Sequence, residues 1–308
     1  MIRHRLLVLS VFTALSVAAC EKASETANPA NPANPAKQGE AEPVDRVDAP
    51  LETELDPAKF PRSPTDKPIL ALLGAGTGSR APLRLAPAQG TTQKSTMAFS
   101  GSVAGQQMNM RMDLTGVVTR VKADGSFDVE ATLDDVDMSM GKQMGAAEKK
   151  MVKDLLADMG MKWTFTARGD IEHQEITGSM AGLMDQGFGQ LFLSLPTDAV
   201  GVGASWTVND TLTQNGMTVL QQIHYEVTAI KGTTVELDMT LRQKADNQTV
   251  QGFKLDKLRS TGTGVMVIDT TKALPQAMKL DLTMDMTVSV GGSPTNQSSK
   301  LRFDWTAN

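Results

Sequence analysis

The chain has 308 residues, 40% of them hydrophobic and only 4% aromatic, with a net charge of −5 and one cysteine. A single cysteine excludes a disulfide framework and multi-thiolate metal sites. Beyond residue 66 there are 25 acidic and 23 basic residues, so the basic stripe that a nucleic-acid partner requires is missing.

The first element is an amino-terminal export signal. Arg3, His4 and Arg5 precede a mostly apolar run from Leu6 to Val17, followed by Ala18, Ala19 and Cys20. The run falls short of the ~20 residues a membrane-spanning helix needs, and the small residues before Cys20 predict a signal peptide over residues 1–19. Val17-Ala18-Ala19-Cys20 resembles the lipobox of bacterial lipoproteins. That resemblance implies a diacylglyceryl thioether on Cys20, a palmitate-type acyl group on the new amino terminus, and a membrane anchor made of lipid. The alternative is an ordinary cleaved signal with an incidental cysteine. Cleavage would remove Arg3 and Arg5 and no acid, moving the net charge from −5 to −7. Glu21 is not the aspartate that holds many lipoproteins at the inner membrane, and by resemblance to those sorting patterns the expected location is the outer membrane.

Residues 20–66 read as the lipidated cysteine and a disordered tether. Asn28-Pro29-Ala30 is repeated at Asn31-Pro32-Ala33 and Asn34-Pro35-Ala36, and proline, alanine and charge continue to about Pro64. Little there can repay the entropy of ordering.

Residues 67–308 read as one antiparallel β domain. Met108, Met110, Met112 and Leu114 alternate with polar residues, as do Phe127, Val129, Ala131 and Leu133; the longest case runs from Met278 to Val290. This period of two places one face of each strand in a core and the other in water. Asp124-Gly125 and Lys231-Gly232 mark hairpin turns. The spacing predicts a mainly β, α+β fold: a curved antiparallel sheet or half-barrel of about ten or eleven strands with two short helices. One helix is predicted from Ala147, Met151, Leu155 and Met159 with Gly160 capping its end, the other from Met180, Leu183, Met184, Phe188, Leu191 and Phe192, terminated by Pro196. Gly90–Glu130 and Gly203–Leu237 both read as strand, strand, turn, strand, which fits either two repeated halves or the sameness of all meanders. Thr166–Asp170 and Thr261–Gly264 are the next pair in that comparison.

Leu195-Pro196 followed by Val200-Gly201-Val202-Gly203-Ala204-Ser205-Trp206, together with the opening Leu83–Gly90, resembles an uncharacterised family of bacterial lipoproteins over roughly residues 80–306. The family has no settled activity, so no functional residues transfer. A looser architectural similarity is to the half-barrel lipoprotein carriers, in which a curved sheet encloses an apolar cavity; this is analogy of fold alone.

Methionine is the compositional anomaly, with 19 residues against nine phenylalanines. Three readings are open. Methionine fills irregular gaps in a core. It also suits a pliable apolar pocket, and Met108, Met110, Met112, Met138, Met140, Met284 and Met286 are the candidate lining of a cavity for a lipid or other apolar ligand. Thioethers also select Cu(I), but these methionines fall on apolar strand faces with no histidine nearby in sequence, and no metal or other cofactor is expected. Asp134, Asp135 and Asp137 lack calcium-loop spacing, and Ser205 lacks a nucleophile elbow. His173 and His224 are solitary, with His224 in the water-facing phase of its strand. The chain therefore reads as a membrane-anchored binding protein rather than an enzyme; the competing expectation is an envelope scaffold with a closed core and unidentified protein partners.

Overall fold

A computed structural model describes residues 54–308 except 104–105, 141–144, 146, 148–149, 152–153, 155–158, 179–192, 215, 251–252 and 291–292. Cys20, the signal, most of the tether and the second predicted helix lie outside the described residues.

Twelve strands form one antiparallel sheet: β1 (Ile69–Pro82), β2 (Thr92–Val103), β3 (Gln106–Val121), β4 (Phe127–Met140), β5 (Gly160–Phe165), β6 (Ile171–Thr177), β7 (Ala199–Gln214), β8 (Met217–Lys231), β9 (Thr234–Val250), β10 (Phe253–Asp269), β11 (Ala277–Val290) and β12 (Ser293–Ala307). Their order is β1-β7-β8-β9-β10-β11-β12-β2-β3-β4-β5-β6. Two meanders, β2–β6 and β7–β12, are thus joined where β12 pairs with β2, and β1 is added at the free edge of β7.

The sequence expectation is corrected in four places. Among the described residues there are twelve strands rather than ten or eleven, because short edge strands such as β6 carry too little alternation to register. Ala147, Lys150, Met151 and Asp154 are helical, but Gly160 is the first residue of β5, paired with Thr132 and Thr177, and caps nothing. Thr166–Asp170 is the β5–β6 turn whereas Thr261–Gly264 lies inside β10, so the suggested repeat does not extend to that pair. Trp206 sits eight residues into β7 rather than at its start.

The turns fold as their residues dictate. Gly125 adopts φ of 83°, a left-handed conformation that glycine takes without steric cost, and its N–H bonds the Lys122 carbonyl. Asp124 accepts from both the N–H and the hydroxyl of Ser126 at 2.9 and 2.7 Å. These bonds lower the Asp124 pKa.

In a flat sheet, eleven strand spacings of about 4.8 Å would separate the edges β1 and β6 by roughly 50 Å. Yet Leu85, three residues past the end of β1, donates its N–H to Ala167 in the β5–β6 turn at 2.7 Å. Three residues reach at most about 11 Å. The sheet therefore curls until its edges nearly meet at this end. The chain leading into β7 crosses the same place, where the Leu195 N–H bonds the Arg168 carbonyl at 2.8 Å. The Arg84 guanidinium ties the two crossings, donating to the carbonyls of Leu83, Pro196 and Thr197. Gly169 fits between them with φ of 85°; a Cβ there would lie 2.4 Å from the Leu193 carbonyl oxygen.

Curling turns the apolar phase of the strands inward. One large cluster joins Trp206 and Tyr225 of β7 and β8 to Phe127, Trp163 and Phe165 of β4 and β5 across the interior. Trp206 stacks on Tyr225 with centroids 5.4 Å apart, and Phe127 on Phe165 at 5.5 Å. The Trp206 indole N–H is satisfied by the Ser194 carbonyl at 2.9 Å. A second, smaller cluster is formed by Val219, Ala245, Leu255, Leu258, Met286 and Val288.

The segment from Glu54 to Pro61, which composition assigns to the tether, packs on the outer face of β7–β9. Leu55 and Phe60 are buried. The Asn209 amide donates to the Lys59 carbonyl at 3.0 Å and the Thr211 hydroxyl to the Pro61 carbonyl at 2.6 Å. Lys244 pairs with Glu54 at 2.8 Å, holding the Glu54 carboxyl below its ordinary pKa. Two large apolar side chains make this stretch stick where the Asn-Pro-Ala repeats have none.

Candidate functional site

Following the register from strand to strand resolves the inner face into rows. In the central row Leu72, Trp206, Tyr225 and Met239 succeed one another on β1 and β7–β9. The same row continues through Gly264, Leu280 and Phe303 to Phe99, Met110 and Met138. The adjacent row holds Leu241, Gly262, Leu282, Leu301, Gly101, Met108 and Met140.

Burial is uneven along these rows. Trp206 and Tyr225 are 0% and 1% exposed. On the other flank Leu282, Leu301, Phe303, Phe99, Met110 and Met138 are only half-buried. These six are mutual neighbours in the register over β11, β12, β2, β3 and β4, and they form a contiguous apolar patch on the inner wall. Transferring their exposed area from water to an apolar ligand is favourable at roughly 25 cal/mol per Å².

The seven methionines singled out from the sequence are divided by the register. Met108, Met110 and Met112 on β3 face Met140, Met138 and Val136 on β4. Met108 and Met112 are buried and Met110 and Met138 are not fully so. Met284 and Met286 lie three strands away on β11; Met284 pairs with Ser260 and Ser299, and Met286 with Leu258 and Gln297. Met286 belongs to the second cluster and Met284 packs against it.

One further row escaped the sequence reading. Asp210, Gln221, Gln243, Ser260, Met284 and Ser299 succeed one another across β7–β12 in continuous register. Gln221 and Ser260, both buried, occupy the apolar phase of β8 and β10, and a polar residue in that phase is the signal that marks them. The Gln243 amide donates to the Gln221 carbonyl oxygen at 2.8 Å. The Ser260 hydroxyl is buried without a hydrogen-bond partner. Asp210 bonds only the N–H of Thr211, at 2.7 Å, and burial pushes its carboxyl up to about 6.

The outer face is polar. A shallow open depression of about 790 Å³ lies over β9–β12, β2 and β3, lined mostly by residues of the polar phase such as Arg242, Thr261, Thr263, Asp281, Lys300 and Arg302, with Leu282 and Leu301 of the apolar patch also bordering it; no methionine lines it. His224 is half-buried on this face beside Thr207 and Thr240, and burial lowers its pKa. Among the described residues no group of three or more His, Cys, Asp or Glu side chains is disposed to hold a metal, and no helix is long and apolar enough to cross a membrane.

No known protein family and no curated protein matches this sequence. Among solved structures, one titled for lipid–protein interactions in lipovitellin is similar at a TM-score of 0.48 and 12% identity, over 72% of this chain and 25% of that one. The chain thus spans about a quarter of that protein.

Proposed function

We propose that this is a lipid-anchored bacterial envelope protein that binds an apolar ligand, an acyl chain or lipid, against the inner wall of its curled sheet. The observation that carries this reading is the contiguous half-buried patch of Leu282, Leu301, Phe303, Phe99, Met110 and Met138 on the apolar face of the sheet. Methionine is suited to such a wall because its unbranched thioether adapts to chains of differing shape. The lipobox resemblance at Cys20 supports the anchor, and Glu21 after it supports an outer-membrane location. The protein acts by binding and not by catalysis. About 33 residues lie between Cys20 and Glu54.

Native mass spectrometry of protein purified in mild detergent tests the binding reading. The expected result is an acyl-containing ligand released by organic solvent and taken up again on re-addition. Protein that is ligand-free and takes up no lipid overturns it. Cys20→Ala is expected to release the protein from membranes; retention of Cys20→Ala in the membrane fraction overturns the anchor.

A second reading rests on the outer depression: the polar face, with Arg242, Lys300 and Arg302 around it, presents an interaction surface to an envelope partner. In-cell cross-linking from Thr263 that recovers one specific neighbour supports it; recovery of none removes it.

A further inference from the structure

The inner face carries a polar row across β7–β12; two more buried polar side chains in the apolar phase, Gln93 and Ser95, lie apart from it on β2, and the Ser95 hydroxyl is also without a partner. On either side of Asp210, Gln221, Gln243, Ser260 and Ser299 the rows are apolar, Val208, Ile223 and Leu241 on one side and Leu212, Val219 and Ala245 on the other. The polar row is where the larger and the smaller apolar clusters part. Successive rows on one face lie about 6.8 Å apart, so Ser260 and Ser299 sit one row from Leu282 and Leu301 of the half-buried patch. Ser260 and Ser299 are 2% and 3% exposed.

A buried hydroxyl with no partner is destabilising unless something supplies the missing hydrogen bond. The Ser260 hydroxyl lies beside the patch in that condition. We infer that this row is the head-group subsite beside the same apolar patch, and that the ligand is an uncharged, hydroxyl-bearing acyl amphiphile of the monoacylglycerol kind. This rests on the apolar-binding reading above and adds the polar half of the ligand to it.

The charge pattern selects the class. Along the described, paired positions of the inner face on β2–β5 and β7–β12, Asp210 is the one side chain of the Asp, Glu, Lys, Arg or His type. A phosphate or carboxylate head placed here would be buried with no counter-charge and with an acid at the end of its row, which is costly. Four of the five polar side chains are neutral amides and hydroxyls, able both to donate and to accept. They match a glycerol head, whose hydroxyls do the same.

The test uses the full mature chain, delipidated on an apolar resin, with bound diphenylhexatriene displaced by 1-monooleoylglycerol, oleate or oleylamine. Monooleoylglycerol is expected to displace the dye at a concentration about ten-fold lower than either charged analogue, the ratio that one well-made hydrogen bond in a buried site provides. Ser260→Ala and Ser299→Ala, checked for folding by circular dichroism and urea midpoint, are expected to cut that preference by roughly three- to ten-fold. Thr263→Ala, on the outer face, leaves it as in the parent. A preference for oleate or oleylamine overturns the neutral head group. Equal displacement by all three, or a preference that survives Ser260→Ala/Ser299→Ala, overturns the subsite while leaving binding at the apolar patch standing. A protein that binds neither dye nor lipid overturns both.

Discussion

The same cross-sheet row is packed shut on one flank and half-open on the other. On β7 and β8 it presents Trp206 and Tyr225, stacked and without contact with water. On β12, β2, β3 and β4 it presents Phe303, Phe99, Met110 and Met138, all partly exposed. The strands on both flanks obey the same alternation, so the pattern of apolar residues is not the cause of the difference. What differs is the opposing wall. On the first flank, at the closed end, the crossings through Leu85 and Leu195 and the aromatic pair Phe127 and Phe165 fill the interior. Phe303 and Met110 pack against the margin of the same large cluster and keep part of their surface in water.

The sharpest way to break this comparison is at its packed end. Trp206→Ala removes the largest fully buried side chain, a ring stack and the hydrogen bond to Ser194. It is expected to cost about 3–5 kcal/mol in urea unfolding. A loss below about 1 kcal/mol would show that this region is not the packed core described above. Gly169→Ala comes next, with an expected loss of about 2–3 kcal/mol, because its φ of 85° and the 2.4 Å approach to the Leu193 oxygen leave no room for a Cβ. A neutral Gly169→Ala would mean that the crossings do not hold the edges of the sheet together.

Some of this architecture is legible in the sequence and some is not, for physical reasons. The alternation at Met108–Leu114 and Met278–Val290 gives strands because side chains on a pleated strand point to opposite faces. Asp124-Gly125 gives a turn because glycine tolerates the backbone that the turn needs. Neither feature says which strands are neighbours. The pairing of β12 with β2, and of β1 with β7 instead of β2, is decided by long-range contacts that leave no local mark. Hence the seven methionines, alike in sequence, could not be sorted into the five on β3 and β4 and the two on β11. The polar row is partly legible, since Gln221 and Ser260 break the apolar phase of their strands, but only the register unites them. Leu55 and Phe60 were hidden by the proline-rich, acidic composition around them, although two buried apolar side chains are enough to dock so short a segment.

A smaller effect sharpens the comparison through pH. The Asp210 carboxyl is raised from 3.8 to about 6 by burial, so the folded state holds its proton more tightly than the unfolded state does. Its contribution is most favourable at and below pH 4, declines as pH rises toward 6, and is constant above that. Asp210→Asn is therefore expected to stabilise the protein by roughly 1–2 kcal/mol at pH 7.5, allowing for the part of the group that stays solvated. The gain should vanish near pH 4. Urea midpoints at the two pH values measure it; a gain equal at both, or a loss at pH 7.5, would mean that Asp210 is not held in an apolar setting.

The smallest expected effect on stability discriminates best between a wall and a core. Met110 lies in the same row as Trp206 but is only half-buried, between Phe99 and Met138. A buried methionine cut to alanine typically costs 2–5 kcal/mol, whereas in a wall facing an unfilled space much of that loss is absent. Met110→Ala should therefore lower unfolding stability by about 1 kcal/mol or less, and Met138→Ala should do the same. Both should weaken displacement of diphenylhexatriene by long-chain lipids, because the lost contacts are then contacts to the ligand. A cost of 3 kcal/mol or more with no change in dye binding would mean that Met110 packs against protein, and the two flanks of the row would no longer differ in kind.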